Sequence, residues 1–345
     1  MPYRQPAYRI LVDGQDITPT IRPRLESLRL TDNRGLEADT LDITLDDTDG
    51  ALALPPRGAR VRLALGWVGQ PLEDKGDYLV DELEHTGAPD RLLIRARSAD
   101  LRSGIATKKE RSWHGVTLGD LVRSVAAQNN LQPAVGDDLA AEPLDHLDQT
   151  AESDANLLTR LAEDFGAIAT VKAGRLLFVR AGQATTASGQ PLPRLTLTRN
   201  LGDSHRFAVA DRAAYTAVQA NYNDARKAER AFVLVGEETI DGEDVPDPTA
   251  PSAGNVKTLR HTYANRTNAE RAAKAEWHRL QRGMATLELT LAYGRADLFP
   301  EVPVDVVGWK PEIDGQGWLV VRVEHDVGGS GFTTRVEMEK RPDPA

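Results

Sequence analysis

An eight-residue segment of this sequence occurs twice in related form, 240 positions apart. Tyr78-Leu-Val-Asp-Glu-Leu-Glu-His85 aligns without a gap with Trp318-Leu-Val-Val-Arg-Val-Glu-His325, and four of the eight positions are identical. Each copy follows a Gly-Trp pair and then a glycine turn, which are Gly66-Trp67 with Gly76 and Gly308-Trp309 with Gly317. Strands use few residue types, so a chance match is the alternative, but the matching flanks favour two copies of one β unit.

Residues 1–104 have the pattern of short strands joined by turns. Leu41-Asp-Ile-Thr-Leu-Asp46 alternates apolar and polar side chains, as a strand with one buried face does. Similar runs are separated by turn signals such as Asp49-Gly50 and Ala88-Pro89-Asp90. This spacing predicts a first β-barrel domain.

Residues 105–182 have helical periodicity instead. Thr117 and Asp120 have the spacing of a capping box in front of one helix. A second helix has its apolar residues on one face and ends at Gly166. A hairpin follows, so we predict a small α/β domain between two β regions.

Residues 183–345 return to strands and predict a second β-barrel domain. This part also contains a long helix, with Thr267 and Glu270 as its predicted capping pair. An acidic, proline-containing loop is expected at residues 236–255. The predicted fold class is therefore mainly β with an α+β insertion: two β-barrel domains plus a small α/β domain.

The composition excludes several classes of protein. The chain has 345 residues and no cysteine, which excludes disulfides, cysteine-ligated zinc, iron–sulfur clusters and thiol catalysis. Its net charge of −10 argues against stable binding to nucleic acid, which needs a basic surface. The one basic cluster, from Arg102 to Arg111, leaves a DNA contact open, but the negative total charge favours a subunit contact or a solvated loop. There is no signal-peptide pattern and no apolar run near the ~18 residues of a membrane span, so no membrane insertion is expected.

No motif of a known enzyme class is present in the sequence. His85 and His325 end the repeated strands, and a structural role is predicted for both. Asp145, His146, Glu152 and Asp154 could form an acid–base site. The competing interpretation is a solvated loop followed by the first turn of a helix, where acidic residues interact favourably with the helix dipole. We expect no catalytic residues, no cofactor and no metal.

One motif in the middle of the chain is specific enough to indicate a family. Leu147-Asp-Gln-Thr-Ala-Glu-Ser-Asp154, with Asn156-Leu-Leu-Thr-Arg-Leu-Ala162 and Phe165-Gly166, resembles the Q-x-x-E-S-D-x-x-F-L-x-R-L-A-x-x-x-G signature of the phage late control protein D family. Leu157 stands where the family usually has Phe. The motif positions singled out here are Gln149, Glu152, Ser153, Asp154, Leu158, Arg160, Leu161 and Gly166. Weaker matches extend the resemblance over nearly the whole chain.

The resemblance implies a baseplate hub protein of a contractile tail, related to the hub part of type VI secretion spike proteins. It implies two tail-tube-like barrels in each chain and a homotrimer that adapts a six-fold tail tube to a three-fold central spike. The implied partners are the spike protein, the tail tube or tube-initiator protein, the tape-measure protein and the baseplate wedge proteins. Assembly is expected in the bacterial host cytoplasm, as part of a virion or tailocin baseplate; the sequence leaves phage and tailocin equally open.

Interface residues are expected first in the two repeated strands and in the helix that begins at Asp154. In the repeated strands, the expected positions are Tyr78, Glu84, His85, Trp318, Glu324 and His325. Glu152 and Ser153 are expected to cap the helix. The alternative function is a cell-wall-directed hydrolase or peptidoglycan-binding module centred on residues 105–182. Residues 117–131 resemble a LysM-type helix pair, which is an analogy of fold only.

Overall fold

Strands make up most of this fold, in a computed structural model that describes residues 4–99, 104–172, 174–186, 188, 190–209, 215–224, 229–236 and 255–341. The strands are β1 (Pro6–Val12), β2 (Gln15–Asp16), β3 (Leu25–Asn33), β4 (Thr40–Asp46), β5 (Arg60–Trp67), β6 (Glu73–Thr86), β7 (Arg91–Ser98), β8 (Lys108–Thr117), β9 (Gln132–Val135), β10 (Pro143–Ser153), β11 (Ala167–Lys172), β12 (Arg175–Arg180), β13 (Leu195–Thr198), β14 (Gly202–Val209), β15 (Tyr215–Asp224), β16 (Glu229–Gly236), β17 (Asn255–Tyr263), β18 (Ala285–Leu291), β19 (Pro303–Val307), β20 (Trp318–Gly328) and β21 (Gly331–Lys340). The helices are α1 (Thr18–Ile21), α2 (Leu118–Gln128), α3 (Asp137–Ala140), α4 (Asp154–Phe165), α5 (Arg266–Arg282) and α6 (Pro311–Asp314). The predicted fold class, mainly β with a smaller α/β part, is confirmed. Most of the predicted acidic loop, residues 237–254, lies outside the described residues.

The predicted repeat corresponds to two β units with the same strand order. The first unit places its strands in the order β3-β4-β7-β6-β5. The second places them in the order β14-β18-β21-β20-β19, because β19 pairs with β20. In each unit the first two strands are neighbours, and a later hairpin (β6–β7 or β20–β21) pairs with them through its second strand. The match between the two segments therefore reflects a duplicated unit of five strands.

The two units also share their irregularities. The pairing of β6 with β7 shifts between Val80 and Glu82, and that of β20 with β21 shifts between Val320 and Arg322, at the aligned positions. The pairing of β3 with β4 shifts between Leu25 and Ser27, and that of β14 with β18 shifts between Gly202 and Ser204. Since a β-bulge at the same place in both copies fixes the same register, residues of one unit can be assigned to residues of the other.

One backbone position shows how the copies have diverged. Gly58 has φ +85° and its N–H donates to Val80 O over 2.7 Å. Glu301 has φ +72° and its N–H donates to Val320 O over 2.9 Å. A left-handed conformation suits glycine, so the second copy keeps the backbone geometry of the first with a less suitable residue. The Glu301 carboxylate lies 2.6 Å from Arg34 Nε, a contact that glycine cannot make.

The second unit carries an insertion between its first two strands. Where β3 and β4 are joined by residues 34–39, β14 and β18 are separated by a three-stranded sheet, in the order β16-β15-β17, and by α5. The inner face of α5 is lined by Ala269, Ala272 and Ala273, which pack on this sheet. The predicted capping residue Thr267 is wrong. The cap is Asn265, whose Oδ1 accepts from Asn268 N over 2.9 Å, because the helix begins two residues earlier.

The two units join through β3 and β20 in one continuous sheet. Seven residue pairs run antiparallel, from Asn33 opposite Arg322 to Ser27 opposite Gly328. Arg29 donates across this junction to Asp326 over 3.1 Å. Apolar residues of the second unit, including Phe332, belong to the core of the first. The core of the first β unit therefore depends on side chains of the second.

The middle of the chain folds around its own core. The antiparallel pair β8–β10 and the sheet β11-β12-β9 pack with α2 and α4. The capping box of α2 is confirmed, since Asp120 N donates to Thr117 Oγ1 over 3.1 Å. Lys172 at the end of β11 donates to Asp32 over 2.6 Å and also to Asp39, and so ties this part to the first β unit.

Burial of His325 predicts a pH-dependent stability. The side chain is fully buried with Nδ1 2.9 Å from Thr334 Oγ1. Burial, with a smaller effect of the Lys75 charge, lowers its pKa well below the ordinary value. The unfolded chain therefore binds a proton that the folded chain does not, and stability falls as the pH drops below about 6.5, by about 1.4 kcal/mol per pH unit from this residue.

Chemical denaturation between pH 7.5 and 5.5 checks this expectation. The loss of stability on acidification should be smaller in His325→Gln than in the wild type, whatever the absolute stability of the variant. His85 is the matched control, because it holds the equivalent position on an exposed edge. His85→Gln should retain most of the wild-type dependence, and equal slopes for wild type and His325→Gln would contradict the argument.

Candidate functional site

The family-like motif forms a buried ion cluster where β10 ends and α4 begins. Asp154, the first residue of α4, has no exposed surface. Its carboxylate accepts from Lys109 Nζ over 2.5 Å and from Asn129 Nδ2 over 3.1 Å. It also accepts from Gln149 Nε2 over 3.0 Å and from Arg111. One carboxylate thus joins β8, the end of α2, β10 and α4.

A bulge in β10 places Gln149 in this cluster. The pairing of β10 with β8 shifts between Gln149 and Glu152, and Ala151 within the bulge has φ +49°. Gln149 Nε2 also donates to Glu152 O over 2.9 Å, which closes the bulge. Its Oε1 accepts from Arg111 Nε over 3.0 Å. The buried amide therefore uses both of its ends, which explains why this position carries glutamine.

The electrostatics of Asp154 favour the ionised form. Burial raises its pKa, but hydrogen bonds from Lys109, Gln149 and Asn129 and the charge of Arg111 lower it, so that the pKa lies below its usual value. Lys109 and Arg111 belong to the basic cluster that was interpreted as a subunit contact or solvated loop. For these two residues the solvated loop is wrong, because they lie in β8 and its pairing with β10 turns both toward the buried carboxylate. The subunit contact stays a prediction. Arg102 lies outside the described residues.

The remaining motif residues hold α4 in place. Ser153 Oγ accepts from Asn156 N over 3.2 Å, so Ser153 is the N-cap. Glu152 does not cap the helix: its carboxylate pairs with Arg160, at 2.8 Å and 3.2 Å. Leu158 and Leu161 are buried in the core of this part. The motif therefore builds a rigid strand-to-helix corner.

The end of α4 contacts the inserted helix α5. Gly166 ends α4 with φ +60°, and a Cβ there would lie 3.3 Å from Ala275 Cβ. Arg271 stacks its guanidinium on the Phe165 ring, 3.7 Å from the centroid. Tyr263 Oη donates to Asp164 over 3.1 Å. Sequence reasoning missed this contact because residues about a hundred positions apart form it and no motif marks them.

The repeated strands place their aligned residues in unequal surroundings. Tyr78 and Trp318 are both buried and donate to backbone carbonyls, those of Lys75 (2.7 Å) and Ile313 (3.0 Å). Glu324 lies 3.6 Å from Arg29, across the junction of the two units.

In the first unit, the aligned Glu84 and His85 lie on an exposed edge. Glu84 is 3.4 Å from Arg95, and His85 Nε2 is 3.2 Å from Asp47. The aligned residues thus pack at the junction with the first unit in β20, and are exposed to solvent in β6.

The four residues considered for acid–base chemistry are differently engaged. Asp154 is buried and bound by two cations, and Glu152 is paired with Arg160. His146 is exposed and stacked on His114, and Asp145 is exposed. Within the described ranges, no group of three or more His, Asp or Glu side chains is placed to hold a metal ion.

Comparison with known proteins identifies the family to which this chain belongs. A family model for the phage tail baseplate hub matches residues 20–331. The chain belongs to the phage tail baseplate hub family. It is 48% identical to a probable baseplate hub protein of Escherichia phage 186, over 97% of this chain and 92% of that protein. The resemblance inferred from the Gln149–Asp154 motif is therefore confirmed.

Solved structures show the same fold. A tail protein from Neisseria meningitidis MC58 matches with a TM-score of 0.71 at 14% identity, over 97% of this chain and 96% of that one. An E. coli component of the type VI secretion system matches with a TM-score of 0.55 at 12% identity, over 93% of this chain and 76% of that one. The hub fold is thus shared with a secretion system component. In the part of the hub chain that is described, no helix is both long and apolar enough to cross a membrane.

Replacing Asp154 tests the structural role of the hub motif. Asp154→Asn leaves Lys109 and Arg111 without their buried counter-charge, and we expect a loss of about 3–5 kcal/mol in the free energy of unfolding. The matched control Asp145→Asn, at an exposed position nearby, should change it by less than about 0.5 kcal/mol. Denaturant titration with far-UV circular dichroism measures both. Equal, small effects would show that the cluster does not stabilise the fold.

Proposed function

We propose that this chain is the structural hub of a contractile tail or tailocin baseplate and assembles as a homotrimer. The observation that carries the proposal is the duplication of the five-strand unit, with equal strand order and equal bulges. Three chains related by cyclic symmetry present six similar units in a ring. Such a ring fits a six-fold tail tube on one side, while the trimer itself fits a three-fold spike on the other.

The proposed domains follow from this role. Residues 1–104 and 183–345 supply the two ring-forming, tube-like parts, and residues 105–182 form the small α/β domain. The buried clusters largely follow this division: one lies within residues 105–182, and two lie within the third range, one in its β unit and one under α5. The cluster of the first range is the exception, because it also takes in Ala296, Val327 and Phe332 of the third. The Asp154 cluster stiffens the middle domain in this scheme and takes no part in chemistry.

The proposed partners are those that a hub must contact. They are further copies of the chain, the central spike protein, the tail tube or tube-initiator protein, the tape-measure protein and the baseplate wedge proteins. The net charge of −10 disfavours retention of nucleic acid in a lumen. We place assembly in the bacterial host cytoplasm and propose no enzymatic activity, since two of the four candidate acid–base side chains, Glu152 and Asp154, are held in ion pairs.

Native mass spectrometry across a concentration series tests the trimer. The expected species is three times 37.7 kDa, about 113 kDa. If the isolated chain stays monomeric, addition of the spike protein should produce a complex with three hub chains. A chain that shows no three-fold assembly at micromolar concentration, alone or with the spike, would contradict the proposed function.

A further inference from the structure

The pairing that joins the two β units of one chain predicts an equivalent pairing between two chains. In one chain, β3 of the first unit pairs with β20 of the second. The equivalents of these strands are β14 and β6. We propose that β14 of one protomer pairs antiparallel with the outer half of β6, residues 82–86, of a second copy. The inference rests on the proposed trimer and specifies its interface.

Both of these strands have an open edge. In the described part of the chain, β14 pairs only with β18 and ends the sheet. β6 pairs with β5 only as far as Leu79, so among the described residues β7 lies on one side of residues 82–86 and no strand lies on the other. Exposed edges of this kind pair readily with another chain.

The two edges cannot meet within one chain as it is folded. Six strands separate β14 from β6 along the sheet, in the order β18-β21-β20-β3-β4-β7. A second copy can supply the missing strand to each edge. Because the two edges differ, the contact is head-to-tail and generates a ring if the rotation closes.

The register of the proposed contact follows from the pairing seen within the chain. The shared bulges make Arg29 equivalent to Arg206 and Asp326 equivalent to Thr86. Arg29 lies opposite Asp326, so Arg206 should lie opposite Thr86 of the second copy.

By the same correspondence, Asp32 opposite Val323 places Val209 opposite Leu83. Glu324 opposite Thr31 places Glu84 opposite Ala208. The register of the contact is thereby specified for residues 83–86 and 206–209.

The side chains at these positions suit such a contact. Val209 is an apolar residue with 64% of its surface exposed, and the proposed register sets it against the half-buried Leu83. Arg206 and Glu84 are equivalent to Arg29 and Glu324, which lie 3.6 Å apart across the junction within the chain. The contact therefore covers an exposed apolar residue and repeats an ion pair.

The absence of cysteine from the chain allows a direct test by paired cysteine substitution. Thr86→Cys with Arg206→Cys should form disulfides between chains on mild oxidation. Arg29→Cys with Asp326→Cys is the matched control, because it places cysteines at the equivalent positions within one chain. Thr86→Cys with Ala208→Cys is the register control, since those residues would be diagonal neighbours.

A second cysteine pair makes the test independent of which positions in the ladder are hydrogen-bonded. Antiparallel pairs alternate between hydrogen-bonded and closer, non-hydrogen-bonded positions, and disulfides form more readily at the closer ones. The pairs Thr86–Arg206 and Leu83–Val209 are three positions apart, so one is a hydrogen-bonded pair and the other is a non-hydrogen-bonded pair. Leu83→Cys with Val209→Cys therefore ensures that one of the two cysteine pairs is at the closer type of position. Asp32→Cys with Val323→Cys is its control within one chain.

On a non-reducing denaturing gel, we expect at least one interchain pair to give dimers and trimers and no larger species. The intrachain control should remain monomeric and lose its free thiols, and the register control should cross-link at least fivefold less. A native trimer in which neither interchain pair cross-links, while a control does, would overturn this interface and leave the hub function standing. A ladder beyond trimers would overturn ring closure by this contact. Absence of any trimer, with or without the spike, would overturn both proposals.

Discussion

The pairing of β3 with β20 is the interaction on which the rest of the architecture depends. It joins strands that lie almost three hundred positions apart in the sequence, and the Arg29–Asp326 hydrogen bond crosses it. Closing so long a loop costs conformational entropy, which seven residue pairs and a shared apolar core must offset. Phe332 of the second unit is buried in the core of the first, so the core of the first unit is incomplete without the second. The pairing also determines which strand edges of the chain stay open.

The duplicated units have diverged in a way that follows from their neighbours. His325 is fully buried and lies opposite Leu30 of β3, whereas the aligned His85 is exposed. Histidine is therefore a neutral core residue in the second unit and an exposed residue at a strand edge in the first. The position of the insertion also follows from what each connection contacts. It occupies the β14–β18 connection, while the equivalent short connection after β3 packs against the middle of the chain through Asp39 and Lys172.

Much of this fold could be predicted from the sequence, and the limits have physical causes. The β6–β20 match was visible because four of eight residues are identical. A second match, Thr40-Leu-Asp-Ile-Thr-Leu-Asp46 with Thr286-Leu-Glu-Leu-Thr-Leu-Ala292, was equally available but has a different offset, 246 positions instead of 240, and was missed. The partners of Asp154 could not be identified, since they depend on how β8 pairs with β10. A motif shows that a position is constrained, and only the fold shows which side chains constrain it.

A ring built from repeated strand junctions needs its units held at a constant angle, because a small error at each junction accumulates around the ring. Four mostly buried charged residues meet where the units and the insertion join. Arg34 of the first unit lies 2.6 Å from Glu301 and 2.7 Å from Glu339 of the second, and Arg282 at the end of α5 lies 3.2 Å from Glu339. Each side chain is at most 18% exposed. Removing one partner of such a group leaves a buried charge unpaired and costs several kcal/mol, about 3–5. A change in the angle between the units that separates one of these pairs therefore costs more free energy than the loss of an exposed ion pair such as Arg29–Asp326.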